Sequence, residues 1–299
     1  MKFLRAFSLL CFLAVPALAD TVANSTLWHV TGGPNKADPN NADMGEVYLL
    51  GSVHILPPDV QWRSPAITTA IHRADVFVFE VSQDEASMAE LQGLVKSHGF
   101  LPPDQRLSGL LRPAVKDDFT AALAASGVTL EQVDHDRPWL AGLQMMFAQI
   151  SRAGFSPDKG VDTSLMTEAR TGGKPMRYLE TIAQQFAVLA PDDEKLELEE
   201  FESSLKDLRD VAAEIQPLVA AWSAGDQKAL DKLLNGDLEE FPAARKALLD
   251  DRNARWLPQI EAMLKERHVF LVTVGAGHLA GARGVPALLR QAGYTVEGP

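Results

Sequence analysis

The chain has 299 residues, 46% of them apolar, which is the composition of a folded globular protein rather than a disordered one. Twenty-eight basic against 40 acidic residues give a net charge of −12, which excludes tracking a nucleic-acid backbone and disfavours docking on anionic lipid. A single cysteine excludes a disulfide framework and a cysteine-based zinc site.

The elements, in chain order, begin with a leader. Lys2 and Arg5 form a short basic region, residues 6–19 carry no charge, and Ala17-Leu18-Ala19 is a small-x-small cleavage site. The apolar stretch is shorter than the roughly 20 residues that span a bilayer. We therefore expect a signal peptide over 1–19, cut after Ala19, a periplasmic or secreted protein, and no stable membrane insertion afterwards. Cys11 would leave with the leader, so the mature chain would have no thiol chemistry.

Residues 25–31 and 46–50 read as strands of an N-terminal β-hairpin whose long tip is rich in Gly, Pro and Asn. That tip is either a lid or a tolerated insertion. Residues 64–73 read as a helix with Ser64 as N-cap and Pro65 at its first position. Residues 76–81, Val-Phe-Val-Phe-Glu-Val, form a nearly unbroken apolar run, as in a parallel strand covered on both faces. Residues 85–171 are mostly helical, in pieces over 86–98, 113–125, 138–152 and 161–171. A short strand follows over 175–179. A second helical block over 182–264 has an acidic stretch and interruptions expected at Pro217, Gly225, Gly236 and Pro242. A strand over 268–274, a helix over 285–292 and a strand over 294–297 complete the chain. Strands alternating with long helical stretches imply an α/β fold: a mostly parallel central sheet with the N-terminal hairpin and large helical insertions, over 85–171 and 182–264. Residues 20–299 are read as one such domain.

Polar residues cluster at strand ends. Residues 48–50 run into Gly51-Ser52-Val53-His54, and residues 270–274 into Gly275-Ala276-Gly277-His278. In both, a glycine is expected to turn the chain and a histidine to leave the carboxyl end of a strand, where open parallel sheets bind ligands. Glu80 sits in an apolar run, and a buried carboxylate requires a cation or a metal. Either it joins the two histidines at a divalent metal, or it pairs with an arginine such as Arg63, Arg73 or Arg252. Glu180 ends another strand, as a fourth functional group or as an ordinary first-turn acid. No EF-hand spacing, dinucleotide fingerprint or Gly-x-Ser-x-Gly elbow is present.

At these residues the chain resembles the TraB/GumN family, which includes the TIKI metalloproteases. The likeness runs from Leu27-Trp28-His29-Val30 through Tyr48-Leu49-Leu50-Gly51-Ser52-Val53-His54, the segment ending in Glu80, and Arg137-Pro138-Trp139-Leu140. It continues with Gly160-Val161-Asp162, Leu179-Glu180-Thr181, Gln184-Gln185, Arg252-Asn253 with Trp256, and Gly275-Ala276-Gly277-His278. The resemblance implies a core like that of ChaN and the erythromycin esterases, and a metal-dependent, peptidase-like hydrolytic site. Carried over, it makes His54, Glu80 and His278 ligands of a divalent ion (Mn, Co or Zn). Glu180 becomes a fourth ligand or the general base. Arg252 and Asn253 become substrate or oxyanion contacts, Asp162 an orienting partner, and Gly51, Gly275 and Gly277 the motif glycines. The expected partner is a peptide or protein substrate, with a homodimer compatible. The alternatives are a non-catalytic haem- or peptide-binding protein on the same fold, and a structural partner in polysaccharide export.

Overall fold

The computed structural model describes residues 26–33, 44–57, 60–190 and 193–299. The leader over 1–19 and the hairpin tip over 34–43 lie outside the described residues.

Six strands form one sheet: β1 (Leu27–Thr31), β2 (Glu46–Ser52), β3 (Val76–Phe79), β4 (Met176–Tyr178), β5 (Val269–Gly275) and β6 (Thr295–Glu297). Their order is β4-β3-β5-β2-β1-β6. The four strands β4, β3, β5 and β2 run parallel, while β1 is antiparallel to both β2 and β6. The fold is thus α/β with a mostly parallel sheet, and the N-terminal hairpin is present as β1–β2.

The parallel strands β2, β3 and β5 are buried on both faces, and alternate residues serve different cores; β4, at the edge, is only partly buried. Tyr48, Leu50, Phe77, Phe79 and Leu271 enter one buried cluster with Phe119, Met145, Phe201 and Trp222 from both helical insertions. Val47, Leu49, Val76, Val78, Phe270 and Val272 enter the other, with Trp256, Ile260, Val285 and Leu289.

The helices used below are α1 (Pro65–Arg73), α2 (Glu85–His98), α3 (Lys116–Ser126), α4 (Pro138–Arg152), α5 (Val161–Thr171), α6 (Ile182–Leu189), α7 (Glu194–Ser204), α8 (Val211–Ala224), α9 (Gln227–Asn235), α10 (Asp251–Met263) and α11 (Val285–Gln291). Ser64 caps α1 by accepting from the Ile67 amide at 3.2 Å, as its sequence position indicates. Pro217 does not interrupt the second block; it sits inside α8. Burial of Val211, Ile215, Leu218, Val219 and Trp222 along that helix outweighs the loss of one backbone hydrogen bond. The helix expected from residue 113 starts as a 3-10 turn over Pro113–Val115, and a π turn over Lys246–Asp250 leads into α10.

The register fixes the site. Ser52 lies opposite Gly275 and Phe79 opposite Thr273, so β2, β3 and β5 end at nearly the same level. Beyond β4, the Leu179 amide donates to the Phe79 carbonyl at 2.9 Å and the Glu180 amide to the Glu80 carbonyl at 2.8 Å. His54, Glu80, Glu180 and the turn holding His278 therefore emerge from one edge of the sheet.

Candidate functional site

His54 follows β2 and is oriented by α5. Its Nδ1 lies 2.7 Å from Asp162 Oδ2, and Ser52 Oγ donates to Asp162 Oδ1 at 2.8 Å. Because a carboxylate only accepts, Nδ1 carries the proton and Nε2 is the nitrogen left for chemistry. Two glycines make this approach sterically feasible. At Gly160, ahead of α5, a Cβ would overlap the His54 carbonyl, and the neighbouring Val161 amide donates to the Val53 carbonyl at 3.0 Å. At Gly51 a Cβ would sit 3.1 Å from Thr26 Cβ and 3.3 Å from Ala276 Cα. Gly51 is still within β2, so close approach, not the expected sharp turn, explains it.

The second group is built around Arg252, near the start of α10. Its Nη2 donates to Glu80 Oε2 at 2.6 Å, its Nε to the Glu180 oxygens at 2.9 and 3.1 Å, and its Nη1 to His278 Nε2 at 2.9 Å. The Leu248 carbonyl, in the π turn, accepts from the same Nη1 at 3.3 Å. His278 completes the set through Nδ1, 2.7 Å from Asn253 Oδ1. Trp256, one turn after Arg252, donates its indole N–H to Glu180 Oε1 at 3.0 Å, and its ring lies 4.3 Å from that of His278. Glu80 is further satisfied by the Gly275 amide at 2.8 Å and by Gln185 Nε2 at 3.2 Å.

These surroundings divide the charges. Burial alone would raise the Glu80 carboxyl, but the Arg252 guanidinium, helped by His278, His54 and the Gly275 amide, brings it down to about 2. Burial would lower the His54 imidazole, yet the Asp162 charge and hydrogen bond, with Glu80 beyond, raise it to about 9. His278 is held well below 6.5, by burial first and by the Arg252 charge second. Arg252, also buried, is kept charged by Glu80 and Glu180. At neutral pH His54 is thus an imidazolium and His278 a neutral imidazole.

The two groups meet at a cavity of about 370 Å³, whose walls include His54, Glu80, Asp162 and Gln185. The remaining wall is mainly apolar and comes from α2, α4 and α6, including Leu91, Trp139, Leu143 and Phe186. Arg252, Asn253, Glu180 and His278 do not line it. Arg252 and Asn253 are buried, Arg252 bonded to Glu80 and His278 and Asn253 to His278. Glu180 accepts from Arg252, Arg255 and Trp256 and does not line the cavity. Asp162 lines it and contacts His54 Nδ1.

His54, Glu80 and His278 do not surround a common point. Among the described residues, no group of three or more His, Cys, Asp or Glu side chains is arranged to hold a metal ion. The cation that Glu80 requires is the guanidinium of Arg252, one of the three arginines its sequence context allowed; Arg63 pairs with Glu168 and Arg73 with Glu46. With Arg252 donating to His278 Nε2 as well, this donor set does not fit a divalent ion bound by these three residues.

Sequence reasoning placed Ser52, Gly160, Gln185 and Trp256 within the family likeness but gave them no role of their own. Trp256 had a legible signal, since it stands four residues after Arg252 and so on the same helix face. Gln185 follows the Thr181–Gln184 capping box, which places it on the first turn of α6. Gly160 had none, because the need for it comes from His54, over a hundred residues away.

Comparison with curated proteins gave no match, and comparison with solved structures gave none. The model of the TraB/PrgY/gumN family matches residues 27–298, and the chain belongs to that family.

Proposed function

We propose that the chain is an exported, peptidase-like hydrolase in which His54 acts on the carbonyl of a bound substrate. The observation that carries this reading is the Ser52–Asp162–His54 chain of hydrogen bonds at the wall of the cavity. Asp162 fixes the ring and its protonated Nδ1, as the carboxylate does in hydrolytic dyads and triads. As an imidazolium, His54 presents Nε2–H to the carbonyl oxygen and polarises it; a solvent water adds to the carbonyl carbon, the C–N bond breaks as the amine takes the His54 proton, and the proton shed by the water returns to His54 Nε2. Glu80 and Arg252 act differently: mutually neutralised, they keep a charged wall fixed beside His54 without taking up a proton. The apolar wall excludes water and strengthens these interactions.

The test is to incubate the purified protein with a mixed peptide pool and to search for new termini by mass spectrometry. Cleavage that disappears in His54→Ala, assayed well below the variant's own melting temperature with its circular dichroism unchanged, supports the hydrolase. A second reading is favoured by the same cavity: an imidazole anchored through Nδ1 in an apolar pocket is also what an axial haem ligand requires. A Soret band on adding haem, or tight peptide capture without cleavage, would replace the hydrolase by a binder.

A further inference from the structure

We infer that the apolar wall beside His54 is a specificity pocket for one bulky hydrocarbon group attached near the reacting carbonyl. The inference rests on the hydrolase reading only for where that carbonyl sits. Three helices contribute most of the wall. Trp139 and Phe186 meet edge to face at 5.5 Å and form a small cluster with Leu91, Val95, Leu140 and Leu143. The buried members of that cluster, Trp139, Phe186 and Ala190, belong to neither of the two cores that cover the sheet, and Leu143 is the side chain that also packs against one of them. Its members are held in place from outside the cavity. Trp139 donates its indole N–H to the His98 carbonyl at 3.2 Å, and its backbone amide donates to buried Glu197 at 2.9 Å.

Four polar members of the wall are linked to one another or to their neighbours: Glu80 accepts from Gly275, Arg252 and Gln185, and Asp162 accepts from Ser52 and His54. Gln83 and Thr163 are the other polar residues of the lining. Beside the reacting centre His54 Nε2 faces a ligand. A ligand would therefore offer a polar atom to His54 and hydrocarbon to the apolar side chains of α2, α4 and α6. A volume of about 370 Å³ is near the lower end of the 300–1,000 Å³ typical of small-ligand pockets, so it suits one side group or one acyl chain rather than several residues of a peptide. Two sources share this chemistry: a large aliphatic or aromatic side chain of a peptide, and a fatty acyl chain.

Two probe series separate them, each read by calorimetric binding so that turnover is not needed. The first is tripeptide amides with Gly, Ala, Leu, Phe or Trp at one position in turn. The second is N-acyl glycinamides from butanoyl to dodecanoyl. We expect Leu or Phe to be preferred over Ala about 10- to 100-fold at one peptide position. In the acyl series each methylene should tighten binding about fourfold until the pocket is full. Leu143→Trp, and independently Leu91→Trp, lie on the partly exposed rim of the wall and should shift the preference to smaller groups without changing the melting temperature. Binding that climbs with size but is never followed by cleavage would leave the pocket standing and remove the hydrolase. Cleavage or binding indifferent to the size of the group in both series, or unchanged by both variants, would overturn the pocket.

Discussion

Arg252→Met is the substitution on which the description of the site turns. The methionine matches the arginine's stem but removes the charge that Glu80, Glu180 and His278 share. In the native protein Glu80 is held at about 2 against an ordinary 4.5, a difference of roughly 3 kcal/mol of stabilisation at neutral pH. That agrees with the roughly 3–5 kcal/mol expected when one partner of a buried ion pair is deleted. For a chain of this length the loss should lower the melting temperature by about 5–10 °C at pH 7. The sign of its pH dependence follows. A depressed carboxylate stabilises above its unfolded value and loses that contribution as pH falls from about 4.5 towards about 2. The native protein therefore weakens over that window, the variant does not, and the gap between them should narrow. Differential scanning fluorimetry at pH 7 and near pH 3 measures both. Arg252→Met/Glu80→Gln should recover part of the loss, since it removes the stranded charge. An unchanged melting temperature at pH 7 would refute the reasoning. So would a native protein stabilised by several degrees on adding Mn²⁺ and weakened by a chelator, because a metal rather than Arg252 would then neutralise Glu80.

Four further outcomes follow from the same geometry. With His54 acting as an acid, kcat/KM should be level through neutral pH and fall as pH rises through about 9; a rise towards 9 would make it a base instead. The His54–Asp162 pairing also stabilises the fold, fully below about 6.5 and progressively less as pH rises through about 9, which urea titrations at pH 6 and 10 can detect. Asp162→Asn should lower the His54 titration point seen by NMR and cut turnover by about 10²–10⁴-fold, while a wild-type titration curve would place Asp162 outside the mechanism. Gly160→Ala should cost about 1–3 kcal/mol and weaken turnover further by pushing α5 and Asp162 away from His54; a neutral effect on stability would show that the contact relaxes freely.

What the sequence disclosed depended on how local the governing physics was. The strands were legible because apolar runs such as Val-Phe-Val-Phe need cover on both faces, and α1 was legible because Ser64-Pro65 is a complete start signal. The candidate groups were legible because each departs from its surroundings: a carboxylate in an apolar strand, a histidine after a glycine. The partners were not. The rule that Glu80 requires a cation is local, but that the cation is Arg252, 172 residues later, depends on where α10 lies against the sheet. Gly51 misled for a related reason. Its backbone is ordinary strand, and the demand for glycine is made by Thr26 and Ala276 pressing on it.

The two Gly-x-x-His segments show the same limit with the clearest consequence. In sequence they are equivalent, each closing a buried parallel strand, and symmetry suggests a shared task such as joint ligation of an ion. In the fold each histidine meets a different partner at Nδ1: the Asp162 carboxylate at His54 and the Asn253 amide at His278. The other nitrogen of His278 accepts from a guanidinium, whereas that of His54 is left to the cavity. A carboxylate favours the imidazolium and a guanidinium opposes it, so one ring is driven up to about 9 and the other well below 6.5. Paired groups whose surroundings drive their titration apart are how a fold assigns acid and structural roles to like residues. On that ground the proposed reaction is assigned to His54, while His278, closed in by Arg252, Asn253 and Trp256, is the neutral acceptor that helps fix Arg252 against Glu80.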